Sequence, residues 1–301
     1  MKSAGLTPEL RDNLRSSNRA ISFLSGLSHV SQFDGWQKGK IHSLIAQASG
    51  GKSTYIRSII YDLLKKNPGT LIFLWLSEVS VEDFMRELAQ LPADVDYSSL
   101  YLHSEVESND DMDSPDAMRI LEEKVIQSGC EFFIFDNLTT SSIYGEQVLQ
   151  QGKISTLLKR LVSITGAAFL LVAHTDSKVK QDSKNIIDMN DIRGSRKIVN
   201  LSEFFFILQN IQIGNTIKTT LRITKHRGKD VKQRLFYLPY DAETFSYPRD
   251  VPLEFDSFKE IKRAIVTRKD KTKRVEHWEC FDLKGEYSER IETNLLKSRN
   301  K

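Results

Sequence analysis

One stretch of this sequence has the residue types and the spacing of a phosphate-binding loop. Residues 46–54 read A-Q-A-S-G-G-K-S-T, which fits the pattern G-x-x-x-x-G-K-[ST] except that Ala46 replaces the first glycine. Backbone N–H groups of such a loop can cradle phosphate oxygens, while Lys52 reaches the β- and γ-phosphates and Ser53 ligates Mg²⁺. The alternative is a Gly/Ser turn that carries a surface lysine. The predicted ATP-binding residues are Ala46, Gln47, Ala48, Ser49, Gly50, Gly51, Lys52, Ser53 and Thr54.

Two carboxylates and a histidine stand at the ends of apolar runs that follow this loop. Asp136 ends FFIFD and, with Ser53, can support Mg²⁺ through water. Glu78 follows TLIFLWLS and can orient and deprotonate an attacking water; a solvated loop carboxylate is the alternative. His174 and Thr175 end AAFLLVAHT, where a polar pair can sense hydrolysis or can be structural. These residue types predict phosphoryl transfer from a bound nucleotide.

These positions require an α/β fold with a mostly parallel, doubly wound sheet. Runs that are apolar along their whole length mark strands buried on both faces, and here such runs alternate with helical stretches. The predicted strands are 41–47, 70–77, 101–104, 132–138 and 167–175, and the predicted helices follow the loop to about 65 and then cover 81–91, 114–128 and 150–165. Three later runs predict hairpin-linked strands that extend the sheet as an antiparallel edge, at 203–210, 216–226 and 233–240.

Composition predicts a cytoplasmic protein, with one large α/β core and short appendages or with two small domains. The 301 residues are 40% hydrophobic and 28% charged, and the net charge of +3 is too small to require a nucleic-acid partner. Two distant cysteines, Cys130 and Cys280, indicate neither a disulfide framework nor a metal site. No apolar run reaches the roughly 18 residues that cross a bilayer, so no membrane partner is predicted.

Three regions are predicted along the chain. A linker helix at 1–20 precedes a core at 21–250, and a basic appendage follows at 251–301. Residues 259–301 hold 13 Lys/Arg against 8 Asp/Glu, a net charge of +5. A small helical subdomain and a mobile tail both remain open for this appendage.

The motifs resemble, in the same order, those of RecA-like P-loop ATPases, and specifically the DnaB-like ring helicases of superfamily 4. AQASGGKST is similar to the family's phosphate loop, FLWLSE to its glutamate-bearing strand, FFIFDNL to its Walker-B strand and LLVAHT to its sensor strand. The segment 191–208 is similar to the one that leads into the next strand. ITKHRGK (223–229), followed by a strand at ETFSY, resembles the K-x-R-x-G element. The resemblance covers about residues 20–247 and is closest to a minimal ring helicase of plasmid or phage type.

The resemblance implies that Lys225 and Arg227 reach the γ-phosphate held by a neighbouring subunit. The chain would then work as a homo-oligomeric ring, with a hexamer as the expected form. A basic turn at a sheet edge is the alternative for this pair.

Two loops would face the channel of such a ring, at 139–153 and 176–191. Lys178, Lys180 and Lys184 in the second loop could contact the phosphate backbone of single-stranded DNA without reading its sequence. Ordinary solvated loops are the alternative.

The function implied by the resemblance is an ATP-driven motor on single-stranded nucleic acid, a DNA helicase of replication. Replication or mobile-element proteins are the partners that such a motor would meet. Two alternatives stay open. One is a RecA- or KaiC-like regulatory or recombination ATPase that does not unwind, and the other is a nucleotide-gated scaffold that recruits partners through its basic tail.

Overall fold

The computed structural model describes most of the predicted core and part of the segment after it. The predicted helix at 1–20 lies outside the described residues, as do Ala48, Lys178, Lys180, Lys184 and Arg227. The described residues are 22–47, 49–108, 116–145, 148–175, 187, 189–191, 197–213, 216–226, 234–252, 260–267, 274–281 and 287–293.

Strands and helices alternate through the first two hundred residues, and a series of strands follows. The helices are α1 (Ser28–Ser31), α2 (Lys52–Lys66), α3 (Val81–Leu88), α4 (Ala117–Ser128), α5 (Val148–Thr165) and α6 (Lys197–Leu201). The strands are β1 (Ser22–Phe23), β2 (Trp36–Gln37), β3 (Ile41–Ala46), β4 (Ile72–Leu76), β5 (Leu100–Ser104), β6 (Phe132–Asp136), β7 (Ala168–His174), β8 (Phe204–Ile213), β9 (Thr216–His226), β10 (Arg234–Tyr237), β11 (Val251–Pro252), β12 (Glu260–Thr267), β13 (Arg274–Phe281) and β14 (Tyr287–Thr293).

Six strands form the parallel part of one large sheet, in the order β5-β4-β6-β7-β3-β8. Ala46 pairs with His174, and Leu76 pairs with Asp136. The carboxyl ends of β3, β4, β6 and β7 therefore lie at one edge of the sheet, which we call the carboxyl edge. The predicted α/β class with a mostly parallel central sheet is confirmed.

The hydrophobic core covers both faces of this sheet because its central strands have no polar face. Every residue of β3, β4 and β6 is buried. One face packs against α2 through residues such as Ile59 and Leu63, and the other packs against α4 and α5 through Leu121 and Leu158. Each such side chain contributes about 1.5–3 kcal/mol when fully buried, so the core can hold a carboxyl edge rich in charge.

The strands after residue 200 differ in part from the prediction. β8 was expected to begin the antiparallel edge, which is wrong, because β8 pairs in parallel with β3 from His42–Phe204 to Ala46–Leu208. β9 and β10 are antiparallel, as predicted. The strand expected at ETFSY is also wrong, since the chain turns there and a bridge joins Asp241 to Ser246.

The basic appendage continues the sheet. β12, β13 and β14 form an antiparallel meander, and β12 joins β10 where Arg234 pairs with Glu260. A helical subdomain is therefore wrong for these residues. Within the described part of the chain, no helix has the length and hydropathy needed to cross a membrane.

Candidate functional site at the carboxyl edge

The phosphate loop joins the end of β3 to the start of α2, as its sequence predicts. Gly50 N–H donates to the Gln47 carbonyl at 3.1 Å, and the backbone of Ser49 and Gly51 is left-handed, with φ of 58° and 85°. Gly51 caps α2, which begins at Lys52. The first N–H groups of a helix have no partner within it, and they carry the positive end of its dipole. Such N–H groups are the donors that bind anions at helix N-termini in other proteins.

A tyrosine from the end of the core packs against this loop. Tyr247 is 5% exposed, and its N–H donates to Ser58 Oγ on α2 at 2.8 Å. Its hydroxyl lies so near the capping glycine that a Cβ built on Gly51 would be 2.3 Å from it. Gly51 is thus required twice, by its backbone conformation and by this close approach. No local pattern in the sequence indicates this packing.

Lys52 and the predicted carboxylates meet at the carboxyl edge. Lys52 Nζ lies 2.9 Å from Asp136 Oδ1 and 3.2 Å from Glu78 Oε2, and Lys52 and Asp136 are both buried. Burial raises the pKa of Asp136, and the ammonium of Lys52 opposes that rise. The ion pair therefore offsets part of the cost of a buried carboxylate.

Glu78 also pairs with the predicted sensor. His174 Nε2 lies 3.2 Å from Glu78 Oε1. This hydrogen bond is the main reason that the pKa of Glu78 falls to about 2, and Lys52 lowers it further. Glu78 is exposed and ionised at neutral pH.

Several polar atoms of the site lack a partner within the described residues. Gln47 Nε2 and Asn137 Nδ2 are buried without a hydrogen bond, and so is His174 Nδ1. Buried amide donors of this kind are rare, because leaving one unpaired costs about 1–3 kcal/mol.

The remaining loop residues are partly accessible. Ser53 is exposed on the first turn of α2, and Thr54 accepts a long hydrogen bond from Arg57 at 3.4 Å. Ser53 and Asp136 supply the hydroxyl and carboxylate oxygens that Mg²⁺ prefers. The described residues hold no cluster of three or more His, Cys, Asp or Glu side chains shaped for a metal. Mg²⁺ held mainly by phosphates and water needs no such cage, so the donors fit that ion.

A hydrogen-bonded network that the sequence analysis missed connects these strand ends. Ser77 Oγ donates to the Asn137 carbonyl and accepts from the Asn137 N–H, both at 2.9 Å. Thr139 Oγ1 donates to Asn137 Oδ1 and accepts from the His174 N–H, also at 2.9 Å each. Thr140 N–H adds a bond to Asn137 Oδ1 at 3.0 Å. The available signal was the polar run D-N-L-T-T directly after an apolar strand.

The structure does not bring Lys225 to this site. Lys225 pairs with Phe205, which pairs with Ser43 in β3, three residues before Ala46. At about 3.3 Å per residue, Lys225 therefore lies roughly 10 Å back from the end of β3, toward the opposite edge of the sheet. Its Nζ donates to the Val199 carbonyl.

The loop predicted at 139–153 is shorter than expected, because α5 begins at Val148. Glu105 holds its first half, accepting from Ser141 Oγ at 2.6 Å and from Trp75 Nε1 at 2.5 Å. This half of the loop is therefore anchored beside the strand end that carries Asp136.

Comparison with known proteins adds no relative to this picture. The chain matches no protein-family model, and no curated protein is similar enough to it to count as a match. Function has to be argued from the geometry of the site.

Proposed function

We propose that this protein is a RecA-like ATPase that works as an oligomeric motor on single-stranded nucleic acid, as DnaB-like ring helicases do. The observation that carries the proposal is the convergence of Lys52, Glu78, Asp136 and His174 at the carboxyl edge, beside a loop that opens a helix. Ligands of open α/β sheets bind at this edge.

Each residue of the site has a separate role in the proposed phosphoryl transfer. Backbone N–H groups of the loop and Lys52 bind the β- and γ-phosphates, and Glu78 accepts a proton from the water that attacks the γ-phosphorus. Ser53 and Asp136 would hold Mg²⁺, which neutralises charge on the phosphates when it is bound. His174 sits against Glu78 and is placed to respond when the γ-phosphate leaves.

Charge balance supports a metal-bound nucleotide. With both carboxylates ionised, Lys52 cannot neutralise Glu78 and Asp136 together, so the three groups carry one net negative charge. A divalent cation removes two of the negative charges of a bare triphosphate, so this site would repel the complex less than it repels the free nucleotide.

The position of Lys225 supports action between subunits. Lys225 lies toward the opposite edge from its own phosphate loop, so in this proposal it acts on the γ-phosphate of a neighbour and not on that of its own subunit. Charge that a neighbour supplies would make hydrolysis depend on assembly. Arg227, two residues further on, has the same role in the proposal.

A mixing experiment tests this arrangement. Lys52→Ala removes the phosphate lysine and Arg227→Ala removes the neighbour's charge, so each variant alone should hydrolyse ATP poorly. In mixed oligomers, some sites join an intact loop to an intact arginine, and activity should return. If mixing restores nothing while both variants still assemble, the shared site is wrong.

Strand displacement tests the motor. The proposal predicts unwinding of a forked DNA that requires ATP, and particles that are closed rings in electron micrographs. ATP hydrolysis without unwinding, by open filaments, would instead favour the recombination ATPase.

A further inference from the structure

Two residues outside the phosphate loop bond to groups next to or within the Glu78–His174 pair. On one side, the hydroxyl of Ser77, the residue before Glu78, donates to the Asn137 carbonyl and accepts from the Asn137 N–H. On the other side, Thr139 accepts from the backbone N–H of His174. The two residues are joined by the bond from Thr139 Oγ1 to Asn137 Oδ1 at 2.9 Å.

Burial makes this connection rigid. Asn137 is completely buried, and its Oδ1 accepts from both Thr139 and Thr140. Leu138, between Asn137 and Thr139, is also completely buried, and its N–H donates to the Val172 carbonyl of β7 at 2.8 Å. Side chains locked by packing and by hydrogen bonds can hold a reacting pair to within a fraction of an ångström.

We propose that Asn137 and Thr139 are positioning residues, which fix Glu78 against His174 so that the carboxylate meets the attacking water. This inference rests on the proposed function. The Thr139 hydroxyl is the link, because it bonds to both Asn137 and His174. Losing it leaves the His174 N–H without its acceptor at the tip of β7 and does not touch the phosphate loop, so hydrolysis should slow while nucleotide binding stays unchanged.

The test measures steady-state ATP hydrolysis by the full chain with saturating single-stranded DNA. Thr139→Val keeps the branched shape and removes the hydroxyl, and kcat should fall about tenfold with KM within about twofold. Thr139→Ser keeps the hydroxyl and should retain at least about half of the wild-type kcat. Thr156→Val is the matched control, since Thr156 is exposed and its hydroxyl bonds within α5, to the Gly152 carbonyl.

The outcomes distinguish a failure of this inference from a failure of the proposed ATPase function on which it rests. A wild type without ATP hydrolysis overturns both. An active wild type with an unchanged kcat in Thr139→Val overturns the positioning role alone, as does a Thr139→Ser variant that is as slow as Thr139→Val. If thermal melting shows that Thr139→Val is unfolded, Thr139→Cys replaces the hydroxyl with a weaker donor and acceptor, and an undiminished kcat in that variant overturns the role.

Discussion

Replacing Gly51 with alanine should cost much more than a glycine substitution usually does. The backbone of Gly51 has φ 85°, and a left-handed conformation costs an L-residue about 1–2 kcal/mol. The new Cβ would also lie 2.3 Å from the Tyr247 hydroxyl oxygen, although it would be 3.4 Å from the ring carbon behind it. Overpacking of this kind costs about 1–3 kcal/mol. The free energy of unfolding should therefore fall by about 2–5 kcal/mol.

Two further variants separate these causes. Gly69 has a similar φ of 79°, and a Cβ there meets nothing within 4 Å, so Gly69→Ala should show the backbone cost alone. Tyr247→Phe removes the oxygen that the new Cβ of Gly51→Ala would strike. In the double variant, Gly51→Ala should therefore cost about 1–3 kcal/mol less than it does in the wild type.

Urea unfolding of the four variants and titration with ATP provide the readouts. Gly51→Ala should weaken nucleotide binding, because the loop must shift, whereas Gly69→Ala should leave it unchanged. A Gly51→Ala variant no less stable than Gly69→Ala would contradict a clash with Tyr247. The clash would also be contradicted if the effects of Gly51→Ala and Tyr247→Phe add to within about 0.5 kcal/mol, the tolerance for independent sites.

Three other predictions concern single residues. Glu78→Gln should lower ATP turnover by about 10²–10³-fold with little change in nucleotide affinity, since it removes the proton acceptor; equal turnover would contradict its role. His29→Phe should destabilise the fold by about 2–4 kcal/mol in urea unfolding, because His29 Nδ1 lies 2.8 Å from Asp250 and its Nε2 lies 2.6 Å from the Tyr55 hydroxyl, all buried; a loss below about 1 kcal/mol would contradict it. Burial lowers the pKa of His42 from 6.5 to about 3. Between these values the unfolded chain binds a proton at His42 that the folded chain does not, so the free energy of unfolding falls as the pH falls below 6.5. In His42→Gln, the free energy of unfolding should therefore depend less on pH between about pH 6.5 and 4.

The parallel core could be predicted because local pattern determines it. Strands such as β4 and β6 are apolar at nearly every position, and only a sheet covered on both faces buries such runs. β8 misled the prediction, although its start, FFFIL, has the same character. The hairpin-length link from β8 to β9 fixes only the orientation of these two strands to each other, so it leaves open whether β8 is parallel or antiparallel to the rest of the sheet.

The part of the candidate site that could be predicted consists of single residues at the ends of strands. The sequence predicts Glu78, Asp136 and His174 at the carboxyl ends of strands and Lys52 at the start of the helix that follows one, and parallel pairing brings such ends together. Contacts between distant segments have no local pattern. The approach of Tyr247 to Gly51 is one of them, because it depends on how a turn after β10 packs.

The most direct test of the account is ATP hydrolysis by wild type and by Lys52→Ala, with and without single-stranded DNA. The account predicts that DNA stimulates hydrolysis by the wild type and that Lys52→Ala hydrolyses almost no ATP in either condition. Hydrolysis by Lys52→Ala at the wild-type rate would contradict it.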